Sequence, residues 1–193
     1  MSQDDKTRVP LGMTAAKVQA PMLMHMNYKV HLPDRDFSLG TRHRLTPSVY
    51  AGIKVKEDCQ GRKEAVTYSG PTYVATRSGK HSSSTATTHA KDFDRLLELP
   101  DFVALFKTSD VQLKPVLFMS VYGGPDENPR YKLVIRHAIS RFLKHDLHGL
   151  FVFRNAPGRS VFNRVERRLV YLSRALAGLI LPHDYFGNHL DGN

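Results

Sequence analysis

At 193 residues with 41% hydrophobic content, the chain is long enough to bury one sizeable core and too apolar for global disorder. Its single cysteine, Cys59, excludes an internal disulfide framework, and no apolar run reaches the roughly 18 residues that a membrane span requires. A formal net charge of +10 attracts polyanions and makes nucleic acid the natural class of partner.

The first residues, Met1-Ser-Gln-Asp-Asp-Lys, lack the apolar centre of a signal peptide, so the chain reads as soluble and intracellular, in nucleus or cytoplasm, with no membrane partner. Asp4 and Asp5 look like the end of a first strand, part of which is missing. Residues 21–32 alternate as a strand, with Leu23, His25, Asn27 and Lys29 on one face and methionines on the other as core filler. A turn at 33–36 precedes a second strand over 48–56, a polar loop over 57–63 and a third strand over 64–69. Extended pieces at 71–75 and 77–80 lead into the polar tract 81–89, which has the composition of a linker.

Helical spacing of Phe93, Leu96 and Leu97 predicts a helix over 90–99 that Pro100 ends, followed by a short one over 101–106. The apolar run Val116–Val121 then predicts a central strand, closed by Gly123-Gly124-Pro125. A helix over 130–144 starts at Pro129 and packs through Val134, Ala138 and Phe142, while Lys132, Arg136 and Lys144 form an exposed basic line. A strand over 149–153 and the loop 155–160 lead to a last helix with Phe162, Val165, Leu169, Leu172 and Leu176 in its packing stripe and Glu166 on its flank. The whole chain reads as one α/β domain over 1–193, strand-rich over 1–80, helical over 81–113 and strand–helix–strand–helix over 114–193. Open α/β sheets keep their sites at strand ends, which points to Tyr122, Asn155 and Glu166.

Phosphodiester cutting and strand transfer commonly use two Mg²⁺ or Mn²⁺ ions held by convergent carboxylates. In chain order the candidates are Asp4 or Asp5, Tyr122 at the end of the central strand, and Glu166. The middle carboxylate is absent. Between Asp126 and Ala175 eleven basic residues stand against four acidic ones, so a net +7 lies with the candidate site. Phosphate-contacting candidates are Lys132, Arg136, Arg141, Lys144, Arg159, Arg164, Arg167 and Arg168.

The stretches Ser2-Gln-Asp-Asp-Lys-Thr-Arg-Val-Pro10, Lys114–Arg130 with its Gly-Gly-Pro-Asp-Glu-Asn-Pro-Arg core, Asn155-Ala-Pro-Gly-Arg-Ser160, Phe162-Asn-Arg-Val-Glu-Arg-Arg168 and Leu181-Pro-His-Asp-Tyr-Phe-Gly187 resemble the RNase H-like, transposon-derived proteins with an Asp, Asp, Glu triad. The resemblance implies an RNase H-like mixed sheet flanked by helices, DNA as partner, and Mg²⁺ or Mn²⁺ if the site is active. It places the first metal carboxylate on Asp4 or its neighbour Asp5 and the third on Glu166, which on pattern alone would be an ion-pairing residue of a helix surface. The second falls on Tyr122. A phenol is neutral at pH 7 and offers one weak oxygen donor, so the implied catalysis is lost or severely weakened.

Asp126 lies four residues beyond Tyr122, but the Gly-Gly-Pro turn carries it away from a ligand position that tolerates a few tenths of an ångström. Asn163, one turn before Glu166, is a candidate to bond the active-site loop or a phosphate. The ten histidines show no zinc spacing, and no Gly-rich phosphate loop follows a strand. Three functions remain: a degenerate transposase-like domain that keeps DNA binding, an active metal-dependent nuclease or strand transferase, and a nonenzymatic basic binding module. The sequence leaves a homo-oligomer open.

Overall fold

A computed structural model describes residues 1–6, 8–11, 44–59, 61–79, 81–156, 162–176, 179 and 181. Its mixed sheet contains β1 (Ser2–Asp5), β2 (Val9–Pro10), β3 (Arg44–Ala51), β4 (Thr72–Ser78), β5 (Val116–Val121) and β6 (Gly149–Arg154), and its helices are α1 (Ala86–Leu96), α2 (Pro100–Phe106), α3 (Lys132–Lys144) and α4 (Glu166–Leu176). β4 pairs antiparallel with β3 from Leu45 to Ala51, so β1 and β2, both antiparallel to β3, share its other side. β5 runs parallel to β1, with Ser2 opposite Ser120 and Gln3 opposite Val121, and β6 runs parallel to β5. The result is five lanes, in the order β4, β3, β1 with β2, β5, β6.

β1 is central although all four of its residues are polar, and three of its side chains bond to neighbouring segments: Ser2 to Asn163 just before α4, Gln3 to Glu127 in the turn after β5, and Asp5 to Ser48 on β3. Asp4 therefore lies within a strand that pairs with β3 along its four residues and with β5 at Ser2 and Gln3. The third strand expected over 64–69 is instead a 3-10 turn at Lys63–Ala65 and one bridge, Val55 to Val66, in an excursion pinned by Gly52 N–H to Pro71 O at 2.8 Å. This segment offers the core one buried apolar residue, Ala65, too little for a half-buried strand. The pieces at 71–75 and 77–80 are the single strand β4. The strand expected over 21–32 lies outside the described residues.

The tract read as a linker starts α1 instead. Thr85 caps it, accepting from Thr88 N–H at 3.1 Å while its own N–H donates to Thr88 Oγ1 at 2.9 Å. Pro100 begins α2 rather than ending α1, since proline suits a first helical position where no N–H is needed. Ala86, His89, Phe93 and Leu96 form the buried side of α1 at spacings of three and four.

The main core lies on one sheet face, where Tyr50, Leu117 and Met119 meet Phe93, Leu96, Phe102, Phe106 and Leu147. Burying each large apolar side chain contributes roughly 1.5–3 kcal/mol. On the other face Val49 and Ala51 pack against Val165, Leu169 and Leu172 of the α4 region. Phe118, Phe151 and Phe153 on that second face are exposed, with Phe118 and Phe151 stacked at 4.7 Å.

One polar clamp joins α4 to the sheet. Asn163, fully buried, accepts through Oδ1 from the Ser2 hydroxyl and from Ser120 Oγ at 3.3 Å, and Val165 N–H donates to Ser2 Oγ at 3.2 Å. Asn163→Ala should cost about 1–3 kcal/mol by stranding both hydroxyls. Urea denaturation measures it, and an unchanged midpoint would show that the clamp holds nothing.

Candidate active site at the ends of β1 and β5

The clamp fixes where Glu166 stands, because Glu166 N–H closes the turn onto Asn163 O at 3.1 Å. Side chains two residues apart on a strand share a face, so Asp4 lies on the face of Ser2, the face that carries α4, while Tyr122 follows the last residue of β5. Asp4 and Glu166 are thereby brought to one side of the sheet. Asp5 points to the opposite face, toward Ser48 and His89. The two sequence candidates for the first carboxylate thus separate by parity, and Asp4 is the one that shares a face with Glu166.

Asp4 is 6% exposed. Burial, then the charges of Glu127 and Glu166, push its carboxyl up to about 8, against one relieving hydrogen bond from Asp5 N–H. Glu166, half-buried, is also raised by burial and partly restored by Lys6. Tyr122 is 53% exposed and brings no negative charge to the third corner.

The Gly-Gly-Pro turn is built to reverse the chain. Gly123 has φ +116°, and an added Cβ would lie 3.2 Å from Arg154 Cδ. Asn128 Nδ2 donates to Gly123 O at 3.2 Å, and Tyr122 N–H donates to Glu127 Oε2 at 3.2 Å. Asp126 is carried to the opposite face, where its Oδ2 lies 3.3 Å from His89 Nε2, so it does not take the place of a carboxylate at 122.

A second polar cluster occupies that opposite face. His89 Nδ1 lies 2.6 Å from Tyr50 Oη, whose proton goes to Asp92 Oδ2 at 2.6 Å. The Arg77 guanidinium donates to Asp92 and to Ser48, and Ser48 donates to Asp5. Burial alone lowers His89, but the Asp126 hydrogen bond and the charges of Glu127, Asp5 and Asp126 outweigh it and raise the imidazole. Glu127, 3% exposed, is pushed up to about 7 by burial, with Asp5 and Asp126 adding and His89 opposing. Asp5, His89 and Asp126 could hold a metal ion, since their donor atoms all lie within 4.8 Å of one another.

His89 and Glu127 were missed as site residues because their partners are far away in sequence. The Glu127 signal was its place in the Gly-Gly-Pro-Asp-Glu turn, which reads equally well as acidic decoration of a helix start. Asn163 is a structural clamp rather than a residue displayed toward a phosphate. Asn155 directly follows β6, half-buried, with its Nδ2 unpaired among the described residues.

Several of the basic candidates make contacts within the protein, Arg141 partly buried and Arg167 and Lys144 at the surface. Arg164 donates to Val66 O at 3.3 Å, Arg168 donates to Tyr68 O and Gly70 O at 2.9 Å each, and Arg167 stacks 3.6 Å over the Tyr68 ring. Arg141 lies 4.1 Å over Phe93, with burial lowering it to about 10. Lys144 pairs with Asp94 at 2.9 Å. Lys132 and Arg136 stand exposed on α3, and Arg159 lies outside the described residues. Among the described residues no helix is long and apolar enough to cross a membrane.

Compared with protein-family models, with curated proteins and with solved structures, the chain has no match in any of the three.

The Asp4 carboxyl gives a pH test. Its folded-state pKa is raised, so the folded chain holds a proton that the unfolded chain has released, and its contribution to stability falls as pH rises from about 4 to about 8. Asp4→Asn should therefore gain on the native chain across that window, by at least about 1.4 kcal/mol at pH 8, the equivalent of one pKa unit. Thermal melts at stepped pH read the difference, and a gap that does not widen with pH would refute the burial of an ionised Asp4.

Proposed function

We propose that this chain is a transposase-derived, RNase H-like domain that binds DNA and whose metal-dependent cutting and joining of strands is disabled at Tyr122. The observation that carries this reading is the convergence of Asp4 and Glu166 on one sheet face, with Tyr122 directly after the last residue of β5. Support comes also from the sheet, in which the first three lanes in chain order are antiparallel neighbours and the last two run parallel to the first, an arrangement compatible with an RNase H-like fold.

Mg²⁺ or Mn²⁺ would supply activation of the attacking oxygen and stabilisation of the leaving one. The donors present do not fit a two-ion arrangement, because the anionic ligand that two ions would share is replaced by a neutral phenol. Burial, together with the charges of Glu127 and Glu166, keeps the Asp4 carboxyl raised, and burial also raises Glu166, so a cation bound there would have to displace a proton. DNA binding rests on the net charge of +10 and on the exposed Lys132 and Arg136, and it fits a place in nucleus or cytoplasm.

A second reading keeps the chain an active nuclease. It is favoured by Glu127, whose charge weighs on Asp4 more than that of Glu166 does and could stand in for the missing carboxylate. Against it, Glu127 is spent on Tyr122 N–H and the Gln3 amide.

Nicking of supercoiled plasmid in Mn²⁺ separates the two. The native chain should be inert and Tyr122→Asp should nick, with the gain abolished by adding Glu166→Ala. Native nicking that dies with Glu127→Gln would establish the second reading, and inertness of Tyr122→Asp would remove the support for a disabled nuclease.

A further inference from the structure

We propose that Asp5, His89 and Asp126 bind a divalent transition ion of the Zn²⁺ or Co²⁺ kind on the sheet face opposite Asp4 and Glu166. His89 Nε2 lies 3.3 Å from Asp126 Oδ2, 3.8 Å from Glu127 Oε1 and 3.9 Å from Asp5 Oδ1. A tetrahedral ion with bonds of about 2.0–2.2 Å spaces its donors roughly 3.3–3.6 Å apart, so Asp126 already stands at that spacing from His89 Nε2 and Asp5 has to approach.

The orientation of the imidazole is set from behind. Tyr50 gives its single proton to Asp92, itself held by Arg77, so the phenol oxygen accepts from His89 Nδ1–H and Nε2 faces the carboxylates. Metal-bound histidines characteristically donate their other ring N–H to an oxygen in this way. The neutral contact at Nε2 is the Ser84 hydroxyl at 2.9 Å, which can rotate aside.

Charge balance and space point the same way. Three carboxylates face one imidazole, and the nearby Arg77 is occupied by Asp92 and Ser48. A small cavity of about 30 Å³ adjoins the cluster, lined by Gln3, His89, Asp126 and Glu127, with Arg141 on its wall turned onto the Phe93 ring. That volume suits one ion or water. A nitrogen donor among carboxylates favours Zn²⁺ or Co²⁺ over Mg²⁺, which prefers an octahedron of oxygens and holds its waters.

The test is a titration of the full chain with Co²⁺, read by its visible d–d bands, with displacement by Zn²⁺. We expect one Co²⁺ per chain, with affinity reduced about tenfold or more in His89→Ala and in Asp126→Asn and retained in the double variant Asp4→Asn/Glu166→Gln. Circular dichroism checks each variant's fold. Because His89 is buried, ¹⁵N spectra of the native chain provide a reading without substitution: Zn²⁺ should move His89 Nε2 as a bound nitrogen while Nδ1 stays protonated. Absence of bands in the native chain, bands that survive both variants, an unmoved Nε2, or loss confined to Asp4→Asn/Glu166→Gln would each overturn the proposal, the last by placing the ion on the other face.

Discussion

Negative charge gathered at the centre of the sheet is the constraint around which the rest of this structure is arranged. Asp4 and Asp5 leave a central strand on opposite faces, Glu166 approaches one face from α4, and Asp126 and Glu127 approach from the turn after β5. Water is largely excluded from Asp4 and Glu127, so their carboxyls hold protons well above the ordinary range. A fold optimised for stability alone would place apolar residues there, since a buried charge must be paired or neutralised. The polar strand is explicable as a site first and as a sheet element second.

Its surroundings fit that order of priorities. The Ser2–Asn163–Ser120 clamp spends buried hydroxyls and an amide to fix the start of α4, where two apolar contacts would have anchored the helix less directionally. Arg164, Arg167 and Arg168 are drawn onto Tyr68 and the carbonyls of Val66, Tyr68 and Gly70, bracing the excursion between β3 and β4. The turn after β5 separates two neighbouring acids by function, with Glu127 buttressing the Tyr122 backbone while Asp126 joins His89.

What the sequence disclosed followed from local signals. β5 was legible to the residue because an uninterrupted apolar run stands between Pro115 and a Gly-Gly-Pro turn, and α3 because Pro129 and a three-four spacing mark it. β1 was hard to recognise as a central strand, since Ser2-Gln-Asp-Asp has no alternation and its place depends on pairing with β3 and β5. The excursion at 52–70 was misread because its β-like residues serve a turn rather than a ladder. At the site, Asp4 and Glu166 could be named from a resemblance, and parity then distinguished Asp4 from Asp5. The His89 cluster joins positions 5, 89 and 126, and no local pattern announces contacts between residues so far apart. The basic residues were counted correctly, but sequence carries no sign of which ones turn inward.

The most direct test of the central claim is a ¹³C NMR titration of the Asp4 carboxyl. The account predicts a midpoint near 8. It further predicts that the midpoint falls on adding Mg²⁺, as a cation takes up the charge shared with Glu166. A midpoint in the ordinary carboxylate range, unmoved by the ion, would contradict the convergence of acids on which both the structure and its proposed history rest.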